Sequence, residues 1–229
     1  MEFYLGTSGW SYDWNTGGNL KWYTENSGLN AIELNASFYR FPFENYIRKW
    51  RMQGAGLRWS VKVHRSITHH HKFNEKALEI WGRFKERFAP LDDIVDFYLF
   101  QAPPHFQDAE RIQSFLESIQ LKGRTALEVR DPSLLGDDVL CTKLQESSVL
   151  VSVDSPDFQK KIFPGNSIYL RIHGRDDWYG HNYSRKELAE ILADILRKNP
   201  EKLFIFFNNN HHMLKNALLM RELLESTER

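Results

Sequence analysis

The sequence predicts an α/β fold on three observations. Eight strand-like runs recur along the chain, helical patterns separate most of them, and five of the runs carry polar or charged residues at every second position toward their ends. Alternation of strand and helix implies parallel strands joined by right-handed crossovers. Eight such repeats favour closure into a TIM-type (β/α) barrel over an open sheet. At 229 residues the chain is short for that architecture, so some crossover helices must be brief or missing.

The strands are expected at residues 2–7, 31–34, 59–63, 96–100, 125–129, 149–153, 168–172 and 203–207. After the first, only residues 20–26 have room for a helix. Helical periodicity then marks 44–52, 75–88, 109–118 and 140–147 after the second to fifth strands. Residues 156–165, after the sixth, hold a turn or a single helical turn. The last two strands are followed by helical patterns at 185–197 and 215–224, with a frayed end beyond. No linker, low-complexity tract or internal repeat divides the chain, so residues 1–229 read as one barrel domain.

Composition narrows the function classes. Thirty basic and thirty acidic residues give no global field to attract nucleic acid or an anionic membrane. The single cysteine, Cys141, excludes an internal disulfide and fits a reducing compartment. No run is long and apolar enough to span a bilayer, and the first residues lack a basic segment followed by an apolar one, so a cytoplasmic protein is expected. No serine nucleophile elbow, cysteine nucleophile or Walker-type loop is present.

Side chains alternate faces along a strand. Ile32, Val61, Val63, Leu127, Val129, Leu170 and Ile172 should therefore pack on one face, and Glu33, Lys62, His64, Glu128, Arg130, Asp154, Arg171 and His173 should share the other. A helix-covered parallel strand ordinarily reads as continuous apolar sequence, so these charges need a purpose.

Several strand ends also carry a family likeness. Gly6-Thr7-Ser8-Gly9-Trp10-Ser11-Tyr12, Glu33-Leu34-Asn35-Ala36-Ser37-Phe38-Tyr39-Arg40-Phe41-Pro42 and Val61-Lys62-Val63-His64-Arg65-Ser66-Ile67-Thr68-His69 follow the first three strands. Gln101-Ala102-Pro103-Pro104-His105-Phe106, Leu127-Glu128-Val129-Arg130-Asp131-Pro132-Ser133, Tyr169-Leu170-Arg171-Ile172-His173-Gly174-Arg175, Tyr183-Ser184 and Phe207-Asn208-Asn209 continue the series. In this order the blocks resemble the domain-of-unknown-function 72 family, also called YecE-like. The resemblance implies a TIM-type barrel and no established reaction. The chain departs from the pattern at Asp131, usually histidine, at Leu134, usually tryptophan, and in the Asn210-His211-His212-Met213 loop.

In such barrels the site is built at the carboxyl ends of the strands. There Glu33, Glu128 and Asp154 supply carboxylates, Lys62, Arg130 and Arg171 supply cations, and His64 and His173 titrate near neutrality. The expected activity is acid and base chemistry on a small anionic substrate, phosphorylated or sugar-like, by a hydrolase, lyase or isomerase. Glu128 or Glu33 is the base, and His173 or His64 the proton donor. Arg130 and Arg171 clamp the anion, with Lys62 adding charge. Asn35, Gln101 and Asn208 offer neutral hydrogen bonds, and Trp10 and Tyr39 offer aromatic faces. One alternative is a divalent metal shared by Glu33, Glu128, Asp154 and His173 in a phosphodiester or sugar-phosphate enzyme, with nucleic acid as a less favoured partner. The other is a closed ion-pair network in a non-catalytic ligand- or partner-binding barrel. The run His69-His70-His71-Lys72 reads as a solvated loop in which only His69 follows the family pattern. Oligomeric state is not encoded in any of these signals.

Overall fold

The computed structural model describes residues 1–227, through which strands and helices alternate. The strands are β1 (Glu2–Thr7), β2 (Ala31–Leu34), β3 (Arg58–Lys62), β4 (Val95–Gln101), β5 (Thr125–Glu128), β6 (Val149–Leu150), β7 (Ser152–Asp154), β8 (Ser167–Ile172) and β9 (Lys202–Phe207). The count is one above expectation because residues 149–153 do not form a single strand. The segment changes partners at Val151: Leu150 pairs with Leu127 of β5, whereas Ser152 pairs with Leu170 of β8.

Two sheets result, in the orders β1-β9-β8-β7 and β2-β3-β4-β5-β6. The pairings of β1 with β9, β9 with β8, β8 with β7, and β3 through β6 are parallel. The helices are α1 (Leu20–Asn26), α2 (Ala36–Tyr39), α3 (Glu44–Gln53), α4 (Glu75–Arg87), α5 (Ala109–Ile119), α6 (Pro132–Gly136), α7 (Asp138–Gln145), α8 (Arg185–Leu196) and α9 (Met213–Thr227). Side-chain caps fix several starts: Asn74 for α4, Asp108 for α5, Asp137 for α7, and a reciprocal Ser184–Glu187 capping box for α8. Among the described residues no helix is long and apolar enough to cross a membrane.

Two compact units are distinguished. The first takes residues 1–33, 56–58 and 151 onward. Its sheet is centred on β9, whose residues after Lys202 are all apolar and buried, as a strand covered on both faces requires. Close approach of backbones explains Gly6: a Cβ there would lie 2.6 Å from the carbonyl oxygen of Ala31.

The second unit takes residues 34–55 and 59–150. Its core is aromatic. Trp81 of α4 packs against Tyr98 and Phe100 of β4, with centroids 5.1 and 5.3 Å apart, and Phe100 meets Phe115 of α5 at 5.7 Å. Because Tyr98 and Phe100 face the helices, the alternate β4 residues Phe97, Leu99 and Gln101 face the other way. Register puts Lys62 beside Leu99 and Glu128 beside Gln101, so Lys62, Gln101 and Glu128 share that second face at the carboxyl ends of β3, β4 and β5.

Candidate functional site

In the first unit Glu33 is wholly buried. Its Oε1 accepts from Ser8 Oγ at 2.6 Å and from Arg171 Nη2 at 2.8 Å, and its Oε2 accepts from the Tyr169 hydroxyl at 2.6 Å. Arg171 is equally buried, and its register opposite Phe206 on β9 sets it on the face of Tyr169 rather than that of Leu170 and Ile172. Three donors around one carboxylate offset the desolvation that makes an isolated buried charge untenable.

Asp154 departs from the expected face. It pairs with Ile172, not Arg171, and therefore lies with Leu170 and Ile172, away from the other ionisable groups. The expectation fails because the strand breaks at Val151 and β7 pairs with β8 in its own register, in which Val153 takes the Arg171 side. There Asp154 accepts from the Tyr183 hydroxyl at 2.6 Å, from Arg175 Nε at 2.9 Å and from the Lys160 amide at 2.8 Å. Burial, then the Asp154 charge, push the Tyr183 hydroxyl far above its usual range, so it remains a donor. Asp154 is thus a fastener for the segment after β8. That segment turns at Gly174 (φ +125°), where a Cβ would collide with the Asp177 carbonyl.

His173 is buried at the start of the same segment. Its Nδ1 lies 3.2 Å from Asn208 Nδ2. Trp178 and Tyr179 flank the ring, with centroids at 5.2 and 5.8 Å. Trp10 is half-buried, and its carbonyl accepts from Asn15 Nδ2 at 2.7 Å.

The second unit assembles the other half of the expected residues. Glu128, only 1% exposed, accepts from Arg130 Nε at 2.7 Å. Lys62 lies with its Nζ 4.2 Å from the Phe38 ring centre, a cation on an aromatic face. Gln101 is buried between the strands that end in Lys62 and Glu128, and its Oε1 has no hydrogen-bond partner among the described residues. Asn35 leads into α2 and is half-buried; Tyr39, at the end of α2, is exposed and meets Phe38 edge-on at 5.0 Å. His64 is half-buried beside Phe41, accepts from the Ser66 amide through Nδ1, and is held below its usual pKa mainly by burial.

The residue that sequence reasoning set aside is His69. Residues 66–70 form a π-helical turn rather than an open loop, which sets the His69 ring edge-on to Phe38 at 5.0 Å with Nδ1 2.8 Å from Thr68 Oγ1. Burial, followed by the positive charges of Lys62, Arg130, His70 and Arg65, lowers its pKa to about 4. The Ile67-Thr68-His69 block was the available signal; local sequence does not reveal a π-turn. At neutral pH the cluster therefore presents an uncharged imidazole amid Lys62, Arg65 and Arg130, with Glu128 as a counter-charge.

Asp131 serves α6 as its N-cap, accepting from the Ser133 and Leu134 amides, and the Ser133 hydroxyl is the main cause of its lowered pKa. Among the described residues no three His, Cys, Asp or Glu side chains are grouped to hold a metal ion.

The arrangement has relatives. A DUF72 protein of Enterococcus faecalis V583 is similar over 97% of this chain and 95% of its own, with 22% identity and a TM-score of 0.84. A DUF72 protein of Thermotoga maritima MSB8 matches over 98% and 100%, with 24% identity and a TM-score of 0.76. The active domain 2 of a Pyrococcus furiosus chitinase shares the fold more distantly, covering 98% and 95% with 10% identity and a TM-score of 0.60. No curated protein matches the chain. The family described as "Protein of unknown function DUF72" matches residues 4–229, which takes in the whole series of strand-end blocks. By that match, together with the strand-end residues just described, the chain belongs to the DUF72 family.

Proposed function

We propose that the protein is a cytoplasmic enzyme, a single TIM-type barrel in which β6 and β7 count as one interrupted strand, acting by acid and base chemistry on a small anionic substrate, phosphorylated or sugar-like. The substrate's anion lies at the carboxyl ends of β3, β4 and β5, between Lys62 and Arg130. The observation that carries this reading is the gathering of Lys62, Arg65 and Arg130 around the half-buried His69, whose pKa is lowered first by burial and then by these cations, a setting in which a bound anion would favour the protonated ring. Glu128 is the base, buried beside Arg130. His69 replaces His64 and His173 as the proton donor, because an anion that cancels the field of Lys62, Arg65 and Arg130 raises its pKa toward the working range. Glu33 and Arg171, by contrast, are architecture, since each is fully buried in their shared cluster. Strand-and-helix alternation supports the barrel, and the chitinase domain's fold is one that carries an enzyme elsewhere, although fold alone does not fix chemistry.

The test is a thermal-shift and calorimetric panel of inorganic phosphate, sugar phosphates, carboxylated sugars and neutral sugars against the protein and its Arg130→Ala and Lys62→Met variants. A ligand at a hundred times its dissociation constant should add about 2.7 kcal/mol of stability, and both variants should lose most of that gain while staying folded. Equal responses from protein and variants, or none to any anion, would overturn the assignment.

A further inference from the structure

Unit 2 carries a feature that an anion site does not use. Among the described residues, four of the seven large apolar side chains that are exposed, Tyr39, Phe43, Tyr46 and Met52, fall between residues 39 and 52. Single exposed apolar residues are ordinary, but a row of them is not. Phe43, Tyr46 and Trp50 recur at the spacing of one helix face, and their ring centres follow one another at 6.3 and 6.4 Å along α3. Phe43 is 65% and Tyr46 52% exposed, and Trp50 is half-buried at the inner margin of the stripe. The core keeps only Ile47 of this helix, while Arg51 ties its inner side to Asp93 by two hydrogen bonds of 2.9 and 2.7 Å.

Charge narrows what could cover such a face. Arg40, three residues before Phe43, and Lys49, next to Trp50 on α3, are exposed, and neither has a side-chain partner among the described residues. On α3 itself Arg48 pairs with Glu44 and Arg51 with Asp93, so Lys49 is the cation that, with Arg40, gives the face its positive charge. A second copy docked here about a two-fold axis would bring cations to cations, which costs affinity. Successive rings are inclined by 42° and 28°, so they form a ridged surface suited to interleaving side chains, not one flat platform for a sugar chain. Aromatic, methionine and arginine side chains together are the composition of protein interface cores.

We propose that the Phe43–Tyr46–Trp50 face of α3 is a docking surface for an acidic, apolar segment of another protein. The aromatic stripe supplies the desolvated centre, and Arg40 and Lys49 supply the register for carboxylates. The assignment is independent of the anion site, which lies at the strand ends.

Selection from a random dodecapeptide phage library against the full-length protein tests it. Enriched peptides should be net negative with aromatic or aliphatic residues. Synthetic copies of them should bind the Tyr46→Ala/Lys49→Glu variant about tenfold or more weakly, while that variant keeps its melting temperature because both side chains are exposed. Enrichment without an acidic bias, peptides insensitive to the variant, or no enrichment would overturn the proposal. So would self-association abolished by Tyr46→Glu, which would give the face to a second copy, or binding of neutral oligosaccharides lost in Tyr46→Ala, which would give it to a sugar chain.

Discussion

At the scale of single residues, the buried Glu33–Arg171 pair shows how like-looking charges divide into different roles. Both groups are wholly buried, so removing one strands the other. Arg171→Ala should lower unfolding free energy by about 3–5 kcal/mol in urea melts, whereas the double change Glu33→Gln/Arg171→Met should recover part of the loss because no uncompensated charge remains. A single variant within about 1 kcal/mol of the parent would show that the pair is not the strut its burial suggests. Residue types and their strand-end positions were legible from the sequence, since alternation alone puts Glu33 and Arg171 on the same kind of face. Which charge would be sealed and which left beside a cation cluster was not, because that depends on Ser8 and Tyr169, distant in sequence and brought to Glu33 only by folding.

Elements were legible wherever periodicity is long and uninterrupted. β1 and β2 have the expected limits, and α4 and α8 lie within a residue of theirs, since apolar spacing sets each one. Short elements escaped: α2, α6 and the π-turn at 66–70 are too brief to show a period, and the break at Val151 lies inside a run that reads as one strand. The same break explains Asp154, whose placement follows from β7's own register. Asp154 holds the segment after β8 by Tyr183 and Arg175, and Tyr183 also accepts from the Gly174 amide at 3.0 Å. Asp154→Asn should therefore raise amide exchange across residues 174–183 by about tenfold or more while the β8 and β9 amides keep their protection. Uniform loss of protection through the sheet would instead make Asp154 part of the global core.

For the whole molecule, pH is the lever that joins the site to stability. His69 titrates near 4 in the folded chain against an ordinary value of 6.5, and burial lowers His64 in the same direction. An unfolded chain therefore takes up protons between pH 6.5 and 4 that the folded chain refuses, and stability is present above 6.5 and lost as pH falls toward 4. Because His69 is only half-buried, solvent screening reduces its share to about 1–2 kcal/mol. The lowered carboxylates act below that window: Asp131, held chiefly by the Ser133 hydroxyl, and Asp92, whose burial is outweighed by Lys85, Tyr98 and Arg124, stabilise above the usual carboxylate range and lose that effect in stronger acid. Acid destabilisation should thus begin with a histidine step, and His69→Gln should remove the larger part of it and leave that of His64, giving a flatter urea-derived stability between pH 7 and 4.5. Sulfate, whose charge is constant across this range, should bind with uptake of protons, because it offsets the cations that add to the effect of burial in lowering the pKa of His69. Its stabilising effect should consequently be larger at pH 5 than at pH 8 in the parent and nearly equal at the two in His69→Gln. Parallel stability curves for parent and variant would remove His69 from the titration, and sulfate stabilisation independent of pH would break the link between that histidine and the bound anion.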